Sequence, residues 1–151
     1  MNTIGALIAK ATAWASAKSQ SGIYEGTPLS TSGISLARRV GVSRPELIRV
    51  VVVDEIPAPS DPELLAIAQE KGLLTPDTDG LTLSYAVFIR RGKDANPRLL
   101  AHEFRHVHQY ETLGSVRGFL ERYIPEVLEF GYDDAPMEVD ARAHERFGSH
   151  G

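Results

Sequence analysis

Five consecutive residues, His102-Glu103-Phe104-Arg105-His106, combine two imidazoles and a carboxylate in a spacing that could serve one metal ion. On an α-helix, side chains four positions apart lie on the same face, so His102 and His106 can bind one ion together. Glu103 lies about 100° further round the helix, beside the ion. Zinc takes neutral imidazole nitrogens, and a neighbouring carboxylate can accept a proton from a water on the metal. The H-E-x-x-H pattern therefore predicts a zinc site with Glu103 as general base.

The H-E-x-x-H residues lie on a predicted helix that begins after Asn96. Asparagine is a good N-cap and proline is tolerated in the first turn, so Asn96-Pro97 indicates the start of the helix. Gly114 can end it, which predicts a helix from Pro97 to about Leu113. At about 100° per residue, one sector of this helix collects the following side chains: Leu99, His102, His106, Tyr110 and Leu113.

The side chains outside that sector have other predicted roles. Phe104, His108 and Glu111 point the other way, so we expect His108 to be a solvated or hydrogen-bonded histidine and not a further ligand. Gln109 borders the site face, where its amide could orient a metal ligand from behind.

A third protein ligand is needed, because catalytic zinc sites usually have three and leave the fourth position to water. The chain has no cysteine, so the third ligand must be His, Asp or Glu. Gln109 and Thr112 stand where the extended motif H-E-x-x-H-x-x-G-x-x-H needs glycine and histidine, which excludes that class. The downstream candidates are Glu121, Glu126, Glu129, Asp133, Asp134, Glu138, Asp140, His144, Glu145 and His150.

Another helix is predicted shortly after Gly131. Pro136 suits its first turn, and Asp133 or Asp134 could provide the N-cap. Three apolar residues at a spacing of four indicate the side that faces the core. They are Val139, Ala143 and Phe147.

Glu138 is turned away from that apolar stripe, since it lies roughly 100° from Val139. Ala141 shares its face, where a small residue would let another helix approach closely. Asp140 is about 160° from Glu138, so an unbroken helix cannot direct both at one ion. Glu138 is therefore the preferred third ligand. The alternatives are Asp140, His144 and Glu145.

Together these two segments resemble a group of small bacterial gluzincin-like domains. Residues 102–111 read H-E-F-R-H-V-H-Q-Y-E, and residues 131–141 read G-Y-D-D-A-P-M-E-V-D-A. The group shares H-E-x-x-H-V-x-Q followed by a helix with P-x-E-x-x-A. Related domains occur at the head of contractile-injection-system core proteins. The resemblance covers about residues 81–143, a little under half of the chain.

The resemblance implies a zinc peptidase. In it, Zn²⁺ is held by His102, His106 and Glu138, and Glu103 accepts the proton of the attacking water. By the same resemblance, residues 81–90 form an edge strand beside which an extended peptide or protein substrate could lie. No particular substrate is implied.

Peptide hydrolysis also needs a hydrogen-bond donor for the oxyanion that develops in the transition state. The candidates are Tyr110, Tyr123, Tyr132 and Arg142. Tyr132 directly precedes the predicted ligand helix, so it is the best placed to reach over the site. Its other interpretation is an aromatic side chain that caps the core.

Two other functions are compatible with the same residues. A catalytically degenerate zincin could keep its zinc ligands and act as an interaction module. A metal-free helical scaffold would use the histidines for packing alone. The presence of Glu103 favours the enzyme, because a purely structural zinc site needs no base.

The rest of the chain predicts an α+β fold: a small zincin-like domain in which a short sheet packs on helices and the metal helix follows an edge strand. The first helix should pack through Leu7 and Trp14, and the helix after the metal helix should break at Pro125. The apolar strand over residues 47–53 should be central. The predicted helices span residues 3–18, 35–40, 61–71 and 115–130, the strands 47–53 and 81–89, and a loop 19–32.

At 151 residues the chain can bury enough apolar surface for one domain. We expect the N-terminal helix and loop in residues 1–45, the strands and metal helix in 46–113, and the helices with the third ligand in 114–151.

Composition excludes several classes of protein. A net charge of −4 without a basic run argues against nucleic-acid binding. The lack of cysteine excludes a disulfide framework and zinc-finger sites. Lys10 interrupts the apolar N-terminal run, which disfavours a signal peptide, and no segment is long enough to cross a membrane. We expect a cytoplasmic protein without membrane contact, and the sequence predicts no oligomeric state.

Overall fold

A computed structural model describes residues 3–149. The fold is α+β, as the sequence predicts, with six α-helices and a mixed four-stranded sheet within that range. The helices are α1 Thr3–Glu25, α2 Thr31–Arg39, α3 Pro62–Glu70, α4 Pro97–Leu113, α5 Val116–Asp134 and α6 Pro136–Ala143. The strands are β1 Thr27–Pro28, β2 Arg49–Val53, β3 Gly80–Leu83 and β4 Ala86–Arg90. Two 3₁₀ turns, Pro45–Leu47 and Glu145–Gly148, complete the assignment.

The sheet has the order β1-β2-β4-β3, in which β2 and β4 are parallel and the two outer pairings are antiparallel. Strand β2 lies inside the sheet, as its apolar sequence predicts. The predicted single strand over residues 81–89 is wrong, because the chain turns at Ser84-Tyr85 and makes the β3–β4 hairpin. Ser84 takes the left-handed φ of 60°, a conformation that sequence patterns associate with Gly or Asn.

The hairpin also corrects the expected edge strand. The strand that precedes the metal helix is β4, which pairs on both sides and is therefore internal. The edge strand on this side of the sheet is β3, which neighbours β4, and β1 forms the opposite edge.

Helix α1 is longer than predicted, because it continues through residues 19–25, which the sequence assigns to a loop. Gly22 explains the difference: a Cβ there would lie 2.7 Å from Phe88 Cζ, so the glycine lets the helix lie directly on β4. The packing of α1 against β4 at this point stabilises the helix by more than the poor helix propensity of glycine destabilises it. Leu7 is buried and Trp14 is half-buried against the core, which confirms the predicted packing of this helix.

Helix α4 has the predicted limits, since each is set by a local signal. The side chain of Asn96 accepts hydrogen bonds from the backbone N–H groups of Arg98 and Leu99. Gly114 ends the helix with the left-handed φ of 86°. Helix α3 likewise begins at the predicted place, where Asp61 caps it.

The break in the next helix is not where the sequence places it. Helix α5 contains Pro125, but its non-helical residue is Gly131, with φ 78° and ψ 171°. Helix α6 then begins with Ala135 as its N-cap and no side-chain capping bond, so the expected caps Asp133 and Asp134 are wrong.

The expected core stripe of α6 is also wrong. Val139 is 49% exposed and Ala143 is exposed, whereas Phe147 is half-buried. The buried residues of α6 are Met137, Glu138 and Ala141. The helix therefore turns the face that carries Glu138 inward. The free-energy cost of burying this carboxylate can be offset only by a polar partner on another element.

Two apolar clusters lie on opposite faces of β4, whose side chains alternate between them. The rear core consists of Leu36, Ala37, Val40, Val42, Ile48, Val87, Ile89, Ala101, Phe104 and Val107. The cleft core consists of Ala15, Leu83, Ala86, Phe88, Tyr110, Phe119, Leu120 and Met137. Helix α4 contributes residues to both clusters, so packing on two sides fixes the orientation of the face that carries His102 and His106.

Candidate metal centre

Three buried side chains converge where α4 passes α6: His102, His106 and Glu138. The Oε1 atom of Glu138 lies 3.1 Å from Nε2 of His102 and 3.1 Å from Nε2 of His106. One ligand atom from each residue lies within 4.8 Å of the other two. Glu138 is only 2% exposed, so its charge is almost completely withdrawn from water.

The spacing of Glu138 from the two histidines is compatible with a bound metal ion such as zinc. Zinc bonds to imidazole and carboxylate at about 2.0–2.2 Å, which puts neighbouring tetrahedral ligand atoms about 3.3 Å apart. The two Oε1–Nε2 separations of 3.1 Å are close to that distance. Two imidazoles and one carboxylate form a donor set that suits a divalent metal such as zinc.

Each of the three side chains has a second partner on its far side. The Nδ1 atom of His102 lies 2.8 Å from Oε2 of Glu145, and Nδ1 of His106 lies 2.7 Å from Oε1 of Gln109. Both rings can therefore donate a proton from Nδ1 and leave Nε2 as the free base. The hydroxyl of Tyr123 donates to Oε2 of Glu138 at 2.6 Å, so Oε1 is the oxygen left facing the histidines.

Gln109 joins the site to a neighbouring network. Its amide nitrogen donates to the backbone carbonyl of Met137 at 2.9 Å and to Oδ2 of Asp140 at 3.0 Å. The guanidinium of Arg105 also donates to Asp140, at 2.8 Å. The predicted position of Gln109, behind a histidine of the site, is what the structure shows.

The alternative third ligands lie outside the three-residue cluster. Asp140 accepts from Arg105 and Gln109, and His144 donates from Nδ1 to the carbonyl of Asp140 at 2.7 Å. Glu145 faces the back of the His102 ring. His150 lies outside the described residues.

The pKa values of the three residues are coupled by charge and by hydrogen bonds. Burial alone would lower the pKa of His106, but the charge of Glu138 and a hydrogen bond with it, helped by the charge of Glu103, raise that pKa to about 9. Burial likewise opposes ionisation of Glu138, but His106 and His102 hold the pKa of its carboxyl well below the usual range. A cation at this point therefore compensates the buried carboxylate, and a metal ion would replace the proton in that role.

Glu103 lies beside the cluster and not in it, as the helical geometry predicts. It is buried, and the Thr82 hydroxyl lies 2.8 Å from its Oε1 atom. Its other oxygen faces Gly80 on the edge strand, where an added Cβ would lie 2.8 Å from Oε2. The missing side chain at Gly80 thus leaves room for the carboxylate against β3.

Tyr132 reaches the cleft because Gly131 breaks α5 directly before it. Its backbone N–H donates to the carbonyl of Lys71 at 3.1 Å, which holds the segment against the end of α3. Burial, then the charges of Glu138 and Glu103 and a hydrogen bond with Glu138, raise the pKa of its hydroxyl well above the usual range. Tyr132 therefore remains a neutral donor.

The other candidate donors also have hydrogen-bond partners. The hydroxyl of Tyr110 donates to the carbonyl of Thr82 at 3.3 Å, and Arg142 donates to the carbonyl of Asp133. The hydroxyl of Tyr123 donates a hydrogen bond to Glu138. The sequence did not predict this contact, because the two residues are fifteen positions apart on separate helices. No local pattern signals such a pair.

Two residues of α4 that point away from the site have structural partners. His108 donates from Nδ1 to the carbonyl of Gly41 at 2.8 Å, which confirms the prediction of a hydrogen-bonded histidine. The carboxylate of Glu111 accepts from the backbone N–H groups of Ser43 and Arg44 and from the hydroxyl of Tyr85. These bonds fix the back of the metal helix to the rest of the fold.

The open side of the site is a cleft with two unlike halves. A polar groove and an apolar cavity share four wall residues, namely Thr78, Gly80, Glu103 and Tyr132. The other wall residues of the groove include charged side chains such as Lys71 and Asp79. Those of the cavity include apolar side chains from α1, α3 and α5.

No protein-family model matches the chain, and no curated protein or solved structure matches it significantly. None of the helices in residues 3–149 has both the length and the apolar character required of a membrane span.

Proposed function

We propose that this chain is a zinc-dependent peptidase of gluzincin type. His102, His106 and Glu138 hold Zn²⁺, and Glu103 is the general base. The observation that carries the proposal is the buried triad, with ligand atoms within 4.8 Å of one another and a separate carboxylate, Glu103, in the wall of the adjoining cleft. The sequence resemblance to small gluzincin-like domains supports the same assignment.

The chemistry divides among the residues of the cleft. A zinc ion at the triad would supply Lewis acidity for the scissile carbonyl and make a water molecule acidic. Glu103 accepts the proton of that water and later passes it to the leaving amine. Its Oε1 is oriented by Thr82, and its Oε2 lies against Gly80. Tyr132 donates a hydrogen bond to the developing oxyanion from the same cleft.

The substrate in this proposal is a peptide or an extended segment of a protein. Strand β3 pairs with β4 alone among the described strands, so its other edge can accept a further strand. Gly80 of β3 lies against the carboxylate of Glu103. A peptide laid along β3 would therefore bring its backbone to the proposed base.

The deciding experiment compares the wild type with Glu103→Gln, both loaded with zinc at neutral pH. We expect both proteins to bind zinc, because Glu103 is not among the three ligands. Hydrolysis of a mixture of fluorescence-quenched peptides should fall by about 10²–10⁴ in the variant, the usual contribution of general acid–base catalysis. Zinc binding without hydrolysis in the wild type would support the interaction module instead. Absence of zinc from both proteins would support the metal-free scaffold.

A further inference from the structure

The apolar half of the cleft is a cavity that adjoins the candidate metal centre. Most of its apolar wall residues lie on α1, α3, β3 and α5, and they include Leu7, Trp14, Ile67, Leu81, Leu120 and Val127. The same wall contains Glu103, His106 and Glu138. A group that fills the cavity therefore reaches the proposed reaction site.

The volume of this cavity is about 160 Å³. The space is half open and lined mainly by apolar side chains, as in pockets that bind apolar ligand groups. An apolar cavity of about 150 Å³ binds a benzene molecule. The space thus matches the phenyl group of phenylalanine or the branched end of leucine.

An aromatic surface leads from the site into the cavity. The rings of Tyr110 and Phe119 stack with centroids 3.8 Å apart, and Phe119 and Tyr123 stack at 5.1 Å. The ring of His106 meets the rings of Phe119 and Tyr123 edge-on, each at 6.4 Å. An apolar side chain that enters beside His106 would therefore have aromatic contacts along one wall.

The polar groove on the other side of Glu103 offers a different environment. It includes Lys71, Asp79 and Asp133, whose charges would have to lose water to accept an apolar group. The two halves of the cleft should therefore select different substrate residues on the two sides of the reaction site.

We propose that the cavity binds a large apolar side chain, of the leucine or phenylalanine class, on a substrate residue next to the cleaved peptide bond. The inference rests on the proposed function, because that function places a peptide bond beside Glu103. Helices α1 and α3 lie outside residues 81–143, the segment that resembles the gluzincin-like domains. The preference for such a side chain is therefore a property of this chain. Burial of such a side chain should strengthen binding roughly ten- to hundredfold relative to alanine.

The test measures binding and not turnover. Calorimetry on the zinc-loaded protein would compare acetohydroxamic, 4-methylpentanohydroxamic and 3-phenylpropanohydroxamic acids, which share one zinc-binding group and differ in the apolar arm. We expect the two larger acids to bind at least tenfold more tightly than the acetyl compound. Toluene should also raise the Tm of the metal-free protein, because it fills the cavity without any metal.

Two substitutions on the cavity wall and one matched control locate the effect. Ala11→Leu should fill part of the cavity and remove most of the gain from the larger arms. Ile67→Ala should enlarge the cavity and favour the phenyl arm over the branched one. Ala13→Leu makes the same change as the first variant at an exposed position on α1, two residues away, and should leave all three affinities within twofold of the wild type.

The outcomes separate this inference from the function on which it rests. Equal affinity for all three acids, in a protein that hydrolyses peptides after loading with zinc, would overturn the cavity assignment and keep the peptidase. Affinity that follows arm size in the wild type and is lost in Ala11→Leu but not in Ala13→Leu would support the assignment. Failure of the protein to bind zinc would remove the proposed function, and the inference with it.

Discussion

The two faces of β4 are packed in opposite ways. On one face, the rear core holds Phe104 and Val107 of α4, both fully buried, and none of its buried residues lines the groove or the cavity. On the other face, the cleft core borders a half-open cavity of about 160 Å³. One helix, α4, thus has a closely packed back and a front that carries His102 and His106, two of the three residues of the buried triad.

This contrast shows how the fold can accommodate a buried ionisable site and an apolar cavity, both of which lower stability. Buried ionisable groups oppose folding unless they are paired, and an apolar cavity forfeits contacts. The rear core and the bonds of Glu111 to the backbone of Ser43 and Arg44 anchor α4 from behind. The site can then be polar and partly open while the histidines keep their positions.

The largest effect on stability should come from the rear core. Phe104→Ala removes a fully buried ring and should lower the free energy of unfolding by about 3–5 kcal/mol. Phe130→Ala is the matched control, because Phe130 is 48% exposed on the wall of the groove, and it should cost less than about 1 kcal/mol. Urea unfolding of the metal-free proteins measures both. Equal costs for the two substitutions would contradict the contrast between the two faces.

The next largest effect concerns catalysis and distinguishes two tyrosines of the cleft. Tyr132→Phe should lower kcat by roughly 10²–10³ with zinc retained, because it removes a donor to the transition state. Tyr123→Phe removes the 2.6 Å hydrogen bond to Glu138, so it should mainly weaken zinc binding. Steady-state kinetics beside zinc titrations separate the two effects. If Tyr123→Phe lowers kcat at saturating zinc and Tyr132→Phe does not, the two assignments must be exchanged.

A smaller effect is expected at the back of His102. Glu145→Ala removes the carboxylate 2.8 Å from Nδ1 and should weaken zinc affinity by about 10–100-fold. Glu145→Gln keeps an acceptor for that ring and should recover part of the loss. Glu129→Ala, at an exposed position on α5, is the control and should bind zinc as the wild type does. Competition with a chelator of known affinity gives the values, and wild-type affinity in Glu145→Ala would show that the contact has no role in binding.

Local signals in the sequence predict the metal helix well. Asn96, Pro97 and Gly114 set both ends of α4 through bonds made within a few residues, so no knowledge of the rest of the fold is needed. The helical period alone separates His102 and His106 from His108, whose ring bonds to Gly41. The preference for Glu138 also came from angles on one helix, and the structure brings this residue to the two histidines.

Features that depend on distant contacts could not be predicted in the same way. The apolar pattern of α6 indicated Val139 as core, but the helix buries Glu138 because α4 supplies polar partners for it. The loop-like residues at the end of α1 remain helical because Gly22 packs against Phe88. The cavity takes its walls from six elements between α1 and α6, which no local pattern brings together. Tyr123 contacts Glu138 from α5, and Glu145 contacts His102 from the 3₁₀ turn after α6, so these partners also lie on other elements.

The zinc content of the purified protein, measured for the wild type beside Glu138→Ala after both are loaded at neutral pH, tests the central claim most directly. The account predicts one zinc per chain in the wild type and little or none in the variant, while Asp140→Asn keeps its zinc because Asp140 lies outside the triad. A full complement of zinc in Glu138→Ala, or none in the wild type, would contradict the three-residue site and the peptidase built on it.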